Sequence, residues 1–534
     1  MNKTAAANIS EPISASGLRI GWLIALLAAL GLFSANLIFG NLNQDEGWYL
    51  YAARLISSGK MPYRDFAFTQ GPVMPFAYSL AYPLIQWGGL ATGRMLTAAL
   101  GITGALCAAV LAGRIAQPGR KNMAILFCFA LTAVNVYQSY FCTVVKTYAL
   151  AILLLASAFW ILHYALVHRK IIATMLAAAL LVLASGTRFS AAVVLPIIFI
   201  LLWLERRRLN FAGWLYFAIG GTITAVLVFG PFLLQCPDNF IYFAGRYHTL
   251  RHEGNLFAAV VFKAGFVSRV LQAYFVCFTV WLAALTIKYL RKNEPGGGQY
   301  APPAPSVLLR RTLWLCGIAV TLVHFGAPFP YDDYQVFVYP LFAAAVAAML
   351  SDVVPPRGGQ WVLSAVLGIC LVSAVSSPIN QDWFIEGREL IWWRAKDKPA
   401  LVKLRETARE LRSFCKPCEL LLTQDPYLAV ESGCALPHGL EMGQFSYFPD
   451  LTDEQAKKLN VLNRALFAEL LTNCPAPVAA LSGYAFAMNA PQITPLSSAD
   501  KNFFRQIISN RYELFETIPN FGQAATELRL YRKK

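Results

Sequence analysis

NQDEGWYLYAARLISSGKMPYRDFAFTQGPVMP, residues 43–75, decides how this chain is read. The stretch is polar, aromatic and charged and lies between two long apolar runs. It opens on the adjacent acids Asp45 and Glu46 and closes on Gln70-Gly71-Pro72. Around it, 534 residues at 57% hydrophobic and 14% charged, with mean hydropathy +0.49, fall far outside the soluble range. The composition dictates a mainly α, polytopic membrane protein.

A spanning helix needs about 20 mostly apolar residues. Eleven segments satisfy that rule, starting near residues 20, 95, 122, 145, 171, 189, 212, 269, 312, 334 and 361. The first, Ile20–Gly40, exceeds the apolar core of a secretory signal and reads as an uncleaved anchor. The net charge of +16 is unevenly distributed: 26 basic residues against 11 acids up to Ile379, and 19 against 18 from Asn380 onward. The excess therefore belongs to the membrane part and follows topology, which removes the case for nucleic acid.

Basic residues gather at Arg19, Arg114–Lys121, His168–Lys170, Arg206–Arg208, Lys288–Lys292, Arg310-Arg311 and Arg357, which assigns those connections to the cytoplasm. Asp45, Glu46, Asp65, Asp238, Glu253, Asp332 and Asp333 then fall on the opposite side. With the amino terminus inside, eleven crossings divide the chain into a membrane domain, 1–379, whose first outer loop is 41–93, and an outer α/β domain, 380–534. This last domain is expected on the outer side of the membrane. Within it, Ala400–Leu411 and Glu454–Thr472 have helical spacing, while Glu419–Thr423, Val478–Leu481, Tyr512–Ile518 and Thr526–Tyr531 read as strands. The Pro295–Pro305 stretch is a Gly- and Pro-rich linker. Cys415, Cys418, Cys434 and Cys474 suit a structural disulfide, with free thiols or redox or metal chemistry as alternatives.

Asp45 and Glu46 follow an apolar helix at its outer end, and Trp48 to Ile56 form an amphipathic pattern suited to the interface. A carboxylate pinned at membrane level is partly desolvated, which suits a general base; a helix-end acid marking the boundary reads equally well from the residues alone. Lys146 and Arg188 stand at the outer ends of apolar spans, where a charge is costly: each binds an anion or snorkels to headgroups. Arg246, His248, Arg251 and His252 carry the same two readings, and Tyr331-Asp332-Asp333-Tyr334 either contacts a sugar or marks the interface.

DEGWYLYAARLISSGKMPYRDF followed by QGP resembles the first outer loop of the GT-C-type glycosyltransferases, in the branch of dolichyl-phosphate-mannose protein mannosyltransferases and lipid A aminoarabinose or lipopolysaccharide sugar transferases. The resemblance implies transfer of a sugar from a polyprenyl-phosphate carrier in the membrane lipid to an envelope glycolipid, glycan or protein, with inversion. It implies Asp45 as base, with Glu46 orienting it or binding a cation. For the carrier phosphate it implies Lys146, Arg188 and Arg64, and Asp65, Gln70, Tyr331 and Asp333 become substrate contacts. Asp45 and Glu46 supply hard oxygen ligands suited to Mg²⁺ or Mn²⁺. The chain departs from the family where Gln70-Gly71-Pro72 replaces a Lys or His followed by two prolines. A transporter or flippase of lipid-linked or small solutes is the alternative, though charges cluster on one side rather than at the midplane.

Overall fold

The protein is described from a computed structural model, covering residues 13–249, 256–291, 304–328, 330–355, 358–376, 398–483, 486, 494, 496–523 and 525–534. Arg251, His252, Glu253, Lys292, Arg357, most of the Pro295–Pro305 linker and the expected boundary at 379/380 lie outside these residues.

Five described helices are long and apolar enough to cross a membrane: Ala15–Phe39, Tyr82–Ile115, Tyr148–His168, Arg206–Gln235 and Ser306–Gly326. The pair Phe257–Ala273 and Phe275–Arg291, bent by 73°, makes a sixth if counted as one span. The remaining apolar helices, such as Ile171–Thr187 and Tyr339–Val353, are only 10–17 residues long, so length alone does not carry the expected count of eleven. Their packed side is rich in alanine: Ala343 to Ala345, Ala347 and Ala348 are fully buried, which lets neighbouring backbones approach closely.

The helix Tyr82–Ile115 orders the polar ends. Gly89 breaks it with φ 67° and ψ −153°. From Arg94 beyond that break to Ile115 is about 30 Å along the axis, the thickness of a bilayer's hydrocarbon core. At the far end Arg310 pairs with Asp352 at 2.8 Å and donates to Ile115 O, and Gln117 N donates to Asp352. At the near end lie Arg94 and Glu46. The basic connection Arg114–Lys121 adjoins one end of this helix, and the acidic loop at Asp45-Glu46 meets the other.

After Lys398 the chain forms a four-stranded mixed sheet, β1 Leu421–Thr423, β2 Val478–Leu481, β3 Tyr512–Phe521 and β4 Thr526–Lys533, in the order β1-β2-β4-β3. β1 and β2 are parallel with Leu422 opposite Ala479, and β4 is antiparallel to both its neighbours. All four expected strands are present, and the helix at 400 runs from Ala400 to Phe414. The expected single helix Glu454–Thr472 is two, Asp453–Lys458 and Arg464–Asn473. Asn460 takes a left-handed φ of 56° and Asn463 caps the second helix through its side chain, so the apolar period continues while the backbone turns. All eleven cysteines are thiols; Cys434 Sγ lies 3.6 Å from Cys415 O, and Cys418 is exposed.

One core cluster runs from Leu42 through Tyr82 into Leu404, Tyr427, Met442 and Leu530. The loop that follows the first span is therefore covered by the carboxy-terminal region. This corrects one expectation: the helix Gln44–Ser57 does not lie in the interface, since Trp48, Tyr49, Leu50, Tyr51, Ala52 and Ala53 are all buried.

Candidate active site

The loop helix Gln44–Ser57 begins with a capping box: the Asn43 side chain accepts from the helix start, and Glu46 reaches back to Asn43 N. At 100° per residue it presents three faces. Gln44, Gly47, Tyr51 and Arg54 meet the carboxy-terminal region. Gly47 is required there, because a Cβ would come within 2.4 Å of Tyr427 N. Tyr51 Oη accepts from Leu436 N at 2.8 Å, and Arg54 donates to Gly433 O and Cys434 O. Glu46 and Leu50 meet the broken helix at Arg94 and Gly93. Asp45 and Tyr49 face the third direction.

On that third face Asp45, 27% exposed, lies 3.1 Å from Lys146 Nζ and accepts from Trp48 Nε1 at 3.2 Å. Lys146 also donates to Asp333 at 2.9 Å, so one ammonium bridges two carboxylates. Burial by itself raises the Asp333 carboxyl, but Lys146, with Arg188 and the Tyr148 hydroxyl, outweighs it and holds the group below the usual carboxylate range. Burial, reinforced by Asp45, pushes the nearby Tyr49 hydroxyl far up, so it remains protonated.

Arg188 lies in an aromatic cage, its guanidinium 4.7 Å from the ring centres of both Tyr148 and Tyr334 and 5.7 Å from that of Phe337. It donates to Thr147 Oγ1 at 3.1 Å, and among the described residues no carboxylate forms an ion pair with it. Tyr331 packs edge-on against Tyr334, beside this cage. Gln70-Gly71-Pro72 comes here too: a Cβ on Gly71 would lie 2.1 Å from Gly186 O, two residues before Arg188. Where the resembling family has a cation, this loop instead presses its backbone against the segment that carries one.

Asp45, Lys146, Arg188, Asp333 and Tyr331 thus share one neighbourhood, and four other nominated side chains have different surroundings. The Glu46 side chain is inaccessible, as is its partner Arg94. Glu46 Oε1 accepts from Arg94 Nε at 2.7 Å and Val145 N at 3.1 Å, and Oε2 from Arg94 Nη2 at 2.6 Å and Asn43 N at 2.9 Å. A carboxylate with four donors has no lone pair left for a cation, so Asp45 and Glu46 do not fit as a divalent-ion pair, and Glu46 is turned away from the face of the proposed base. Arg64 and Asp65 bind each other at 2.8 Å; Arg64 also reaches Gln235, and Asp65 accepts from Met61 N, so the pair shapes its own turn. Gln70 enters through its backbone carbonyl, which accepts from Tyr63 Oη. Among weaker candidates, His248 hydrogen-bonds Thr69 O at 2.9 Å, and Asp332 is held by Arg269 and Tyr137.

Sequence reasoning missed Arg94, Tyr148 and Phe337, and it named Tyr334 as a sugar contact or interface marker rather than as a ring beside Arg188. Arg94 carried a usable signal, a lone charge in an apolar helix; starting that span at 95 left it outside. Tyr148 and Phe337 carried none, since aromatic residues abound at the ends of spans.

No protein-family model matches the chain, and no curated protein matches it. Among solved structures, ArnT from Cupriavidus metallidurans in the apo state is similar with TM-score 0.57 at 15% identity, over 96% of this chain and 98% of that one. ArnT bound to undecaprenyl phosphate gives 0.52 at 13%, over 97% and 98%. An oligosaccharyltransferase from Archaeoglobus fulgidus, complexed with Zn and sulfate, gives 0.50 at 12%, over 93% of this chain and 72% of that one. The chain has the fold of these GT-C-type membrane transferases, as the resemblance of residues 43–75 led one to expect.

Proposed function

We propose that this protein transfers a sugar from a polyprenyl-phosphate carrier to a hydroxyl of an envelope glycolipid, glycan or protein, at the periplasmic face of a bacterial inner membrane. The observation that carries the reading is that a partly exposed carboxylate, Asp45, shares the surroundings of Tyr49 and Lys146 with a caged arginine, Arg188, whose guanidinium retains donors for an anion. In the reaction the acceptor oxygen attacks the anomeric carbon and its proton passes to Asp45. The bond from that carbon to the phosphate oxygen breaks, and polyprenyl phosphate leaves toward Arg188. Attack opposite the leaving group inverts the anomeric centre. Arg188 stabilises the charge that develops on the phosphate, the kind of term that dominates such sites.

Two further features support the reading. An apolar cavity of about 180 Å³, lined by Tyr274, Trp281, Trp314, Phe342 and Gln335, opens two residues along the chain from Asp333 and suits isoprenoid carbon. ArnT, of the same fold, has been solved with undecaprenyl phosphate. Glu46 enters the reaction only by holding its neighbour Asp45. The test is a mass comparison of envelope glycolipids from cells with and without the protein, repeated with Asp45→Asn. The expected result is loss of one glycosyl increment in both, with normal membrane insertion of the variant. A full increment made by Asp45→Asn, or solute counterflow in proteoliposomes with no glycosyl product, overturns the reading.

A further inference from the structure

One buried carboxylate has no part in that chemistry. Glu431, 8% exposed on the short helix Pro426–Ser432, sits against the break in Tyr82–Ile115. Its Oε2 accepts from Leu90 N at 2.8 Å, and its Oε1 lies 3.4 Å from Arg405 Nε. Leu90 follows Gly89, so its N–H belongs to the first turn of the second half of that helix and has no acceptor within the helix. A carboxylate there satisfies the amide and also meets the positive end of the helix dipole. Gly89 is doubly constrained, by its positive φ and because a Cβ would come 2.1 Å from Glu431 Oε2.

The same helix leads directly to the site. One turn beyond Leu90, Arg94 grips Glu46. Glu46 in turn binds Asn43 N and Val145 N, so it adjoins Asp45 in its own segment and holds the residue next to Lys146 in the other. An adjoining face of the loop helix is tied to the end of the Glu431 helix, through Arg54 and the carbonyls of Gly433 and Cys434.

We propose that Glu431 is a positioning residue: by capping the broken helix at Leu90 it sets Arg94 and Glu46, and so the register of Asp45 against Lys146. This rests on Asp45 being the base. Glu431 touches no reacting atom and acts through geometry, where a displacement of about 1 Å can cost on the order of a hundredfold in rate.

The test uses the full-length protein in membranes, with donor supplied as a lipid extract from cells lacking the protein and with undecaprenyl phosphate as binding probe. Glu431→Ala is expected to lower the maximal rate tenfold or more, to leave undecaprenyl phosphate binding within twofold, and to speed hydrogen exchange of the 44–57 amides. Glu431→Gln retains an acceptor oxygen for Leu90 N and is expected to recover most of the rate and protection. Glu431→Asp, which withdraws the oxygens by one methylene, decides the matter if the alanine variant does not accumulate; a rate drop with intact binding is expected. An unchanged rate and exchange in the shortened variants, a loss residing in binding, or equal impairment of Gln and Ala overturns the proposal. The exchange readout does not depend on the chemistry: an active Asp45→Asn protein would refute the base while leaving the Glu431 contact to be judged by exchange alone.

Discussion

Asp45 and Glu46 are adjacent carboxylates with opposite fates, because one helical step of 100° turns one toward Lys146 and the other into Arg94. A similar distinction separates the cations. Lys146 is already balanced by Asp45 and Asp333, whereas Arg188 is held by rings that fix its plane without neutralising it. Arg188→Ala is therefore expected to weaken undecaprenyl phosphate binding tenfold or more, and Arg188→Lys to restore only part of it, since an ammonium lacks the planar fork; titration with the radiolabelled lipid checks both. Asp425 offers a test by pH. Burial raises its carboxyl to about 6, opposed by the Tyr427 hydroxyl that donates to it at 2.7 Å. An unfolded aspartate titrates near about 4, so the folded protein binds the extra proton between these values. The stability contributed is present below about 4 and is lost as pH rises through about 6. Asp425→Asn is expected to be more stable than the parent at pH 7.5 by roughly 1–3 kcal/mol, a difference that shrinks to nothing at pH 4, read by thermal melts across that range.

Among elements, the loop helix is the one whose environment sequence reading misjudged. Its pattern is amphipathic, but a period of 3.6 reports which face is apolar, not what covers the other face. Here the polar face is covered too, by Tyr427, Leu436, Gly433 and Cys434. Its inward anchor, the ion pair between Glu46 and Arg94, is fully buried and carries the strongest stability prediction. Arg94→Ala leaves a buried carboxylate without its counterion and is expected to cost about 3–5 kcal/mol, while Glu46→Gln with Arg94→Met is expected to recover much of it; denaturation in detergent compares the two. The strands of the carboxy-terminal sheet were legible because β1 and β2 are short apolar runs between turn residues and β3 and β4 alternate. The split at Asn460 was not, because helical spacing persists across a single left-handed residue.

At the scale of the whole molecule, charge asymmetry orders the chain along one axis. The Arg310–Asp352 cluster lies at one end of Tyr82–Ile115, and the Glu46–Arg94 pair toward the other. If the basic end is cytoplasmic, a phosphatase reporter fused after Lys534 is expected to be active outside the cytoplasm and one inserted at Arg207 inactive. The reverse pattern would place the acidic face, and Asp45 with it, in the cytoplasm. The carboxy-terminal region shares a core with residues 42–82, so it packs directly on the loop that carries Asp45.

By itself the sequence determined the membrane class, the strands after Lys398, the polar loop at 43–75 and the nomination of Asp45, Lys146, Arg188 and Asp333. Hydropathy, local periodicity and the cost of charge next to lipid are properties of neighbouring residues and can be read along a line. Only the tertiary structure decided that Glu46 faces Arg94, that three aromatic rings cage Arg188, and that Glu431 caps Leu90 from 341 positions away. Those assignments depend on which helices meet and at what rotation, and such contacts between distant segments leave no periodic trace in the chain.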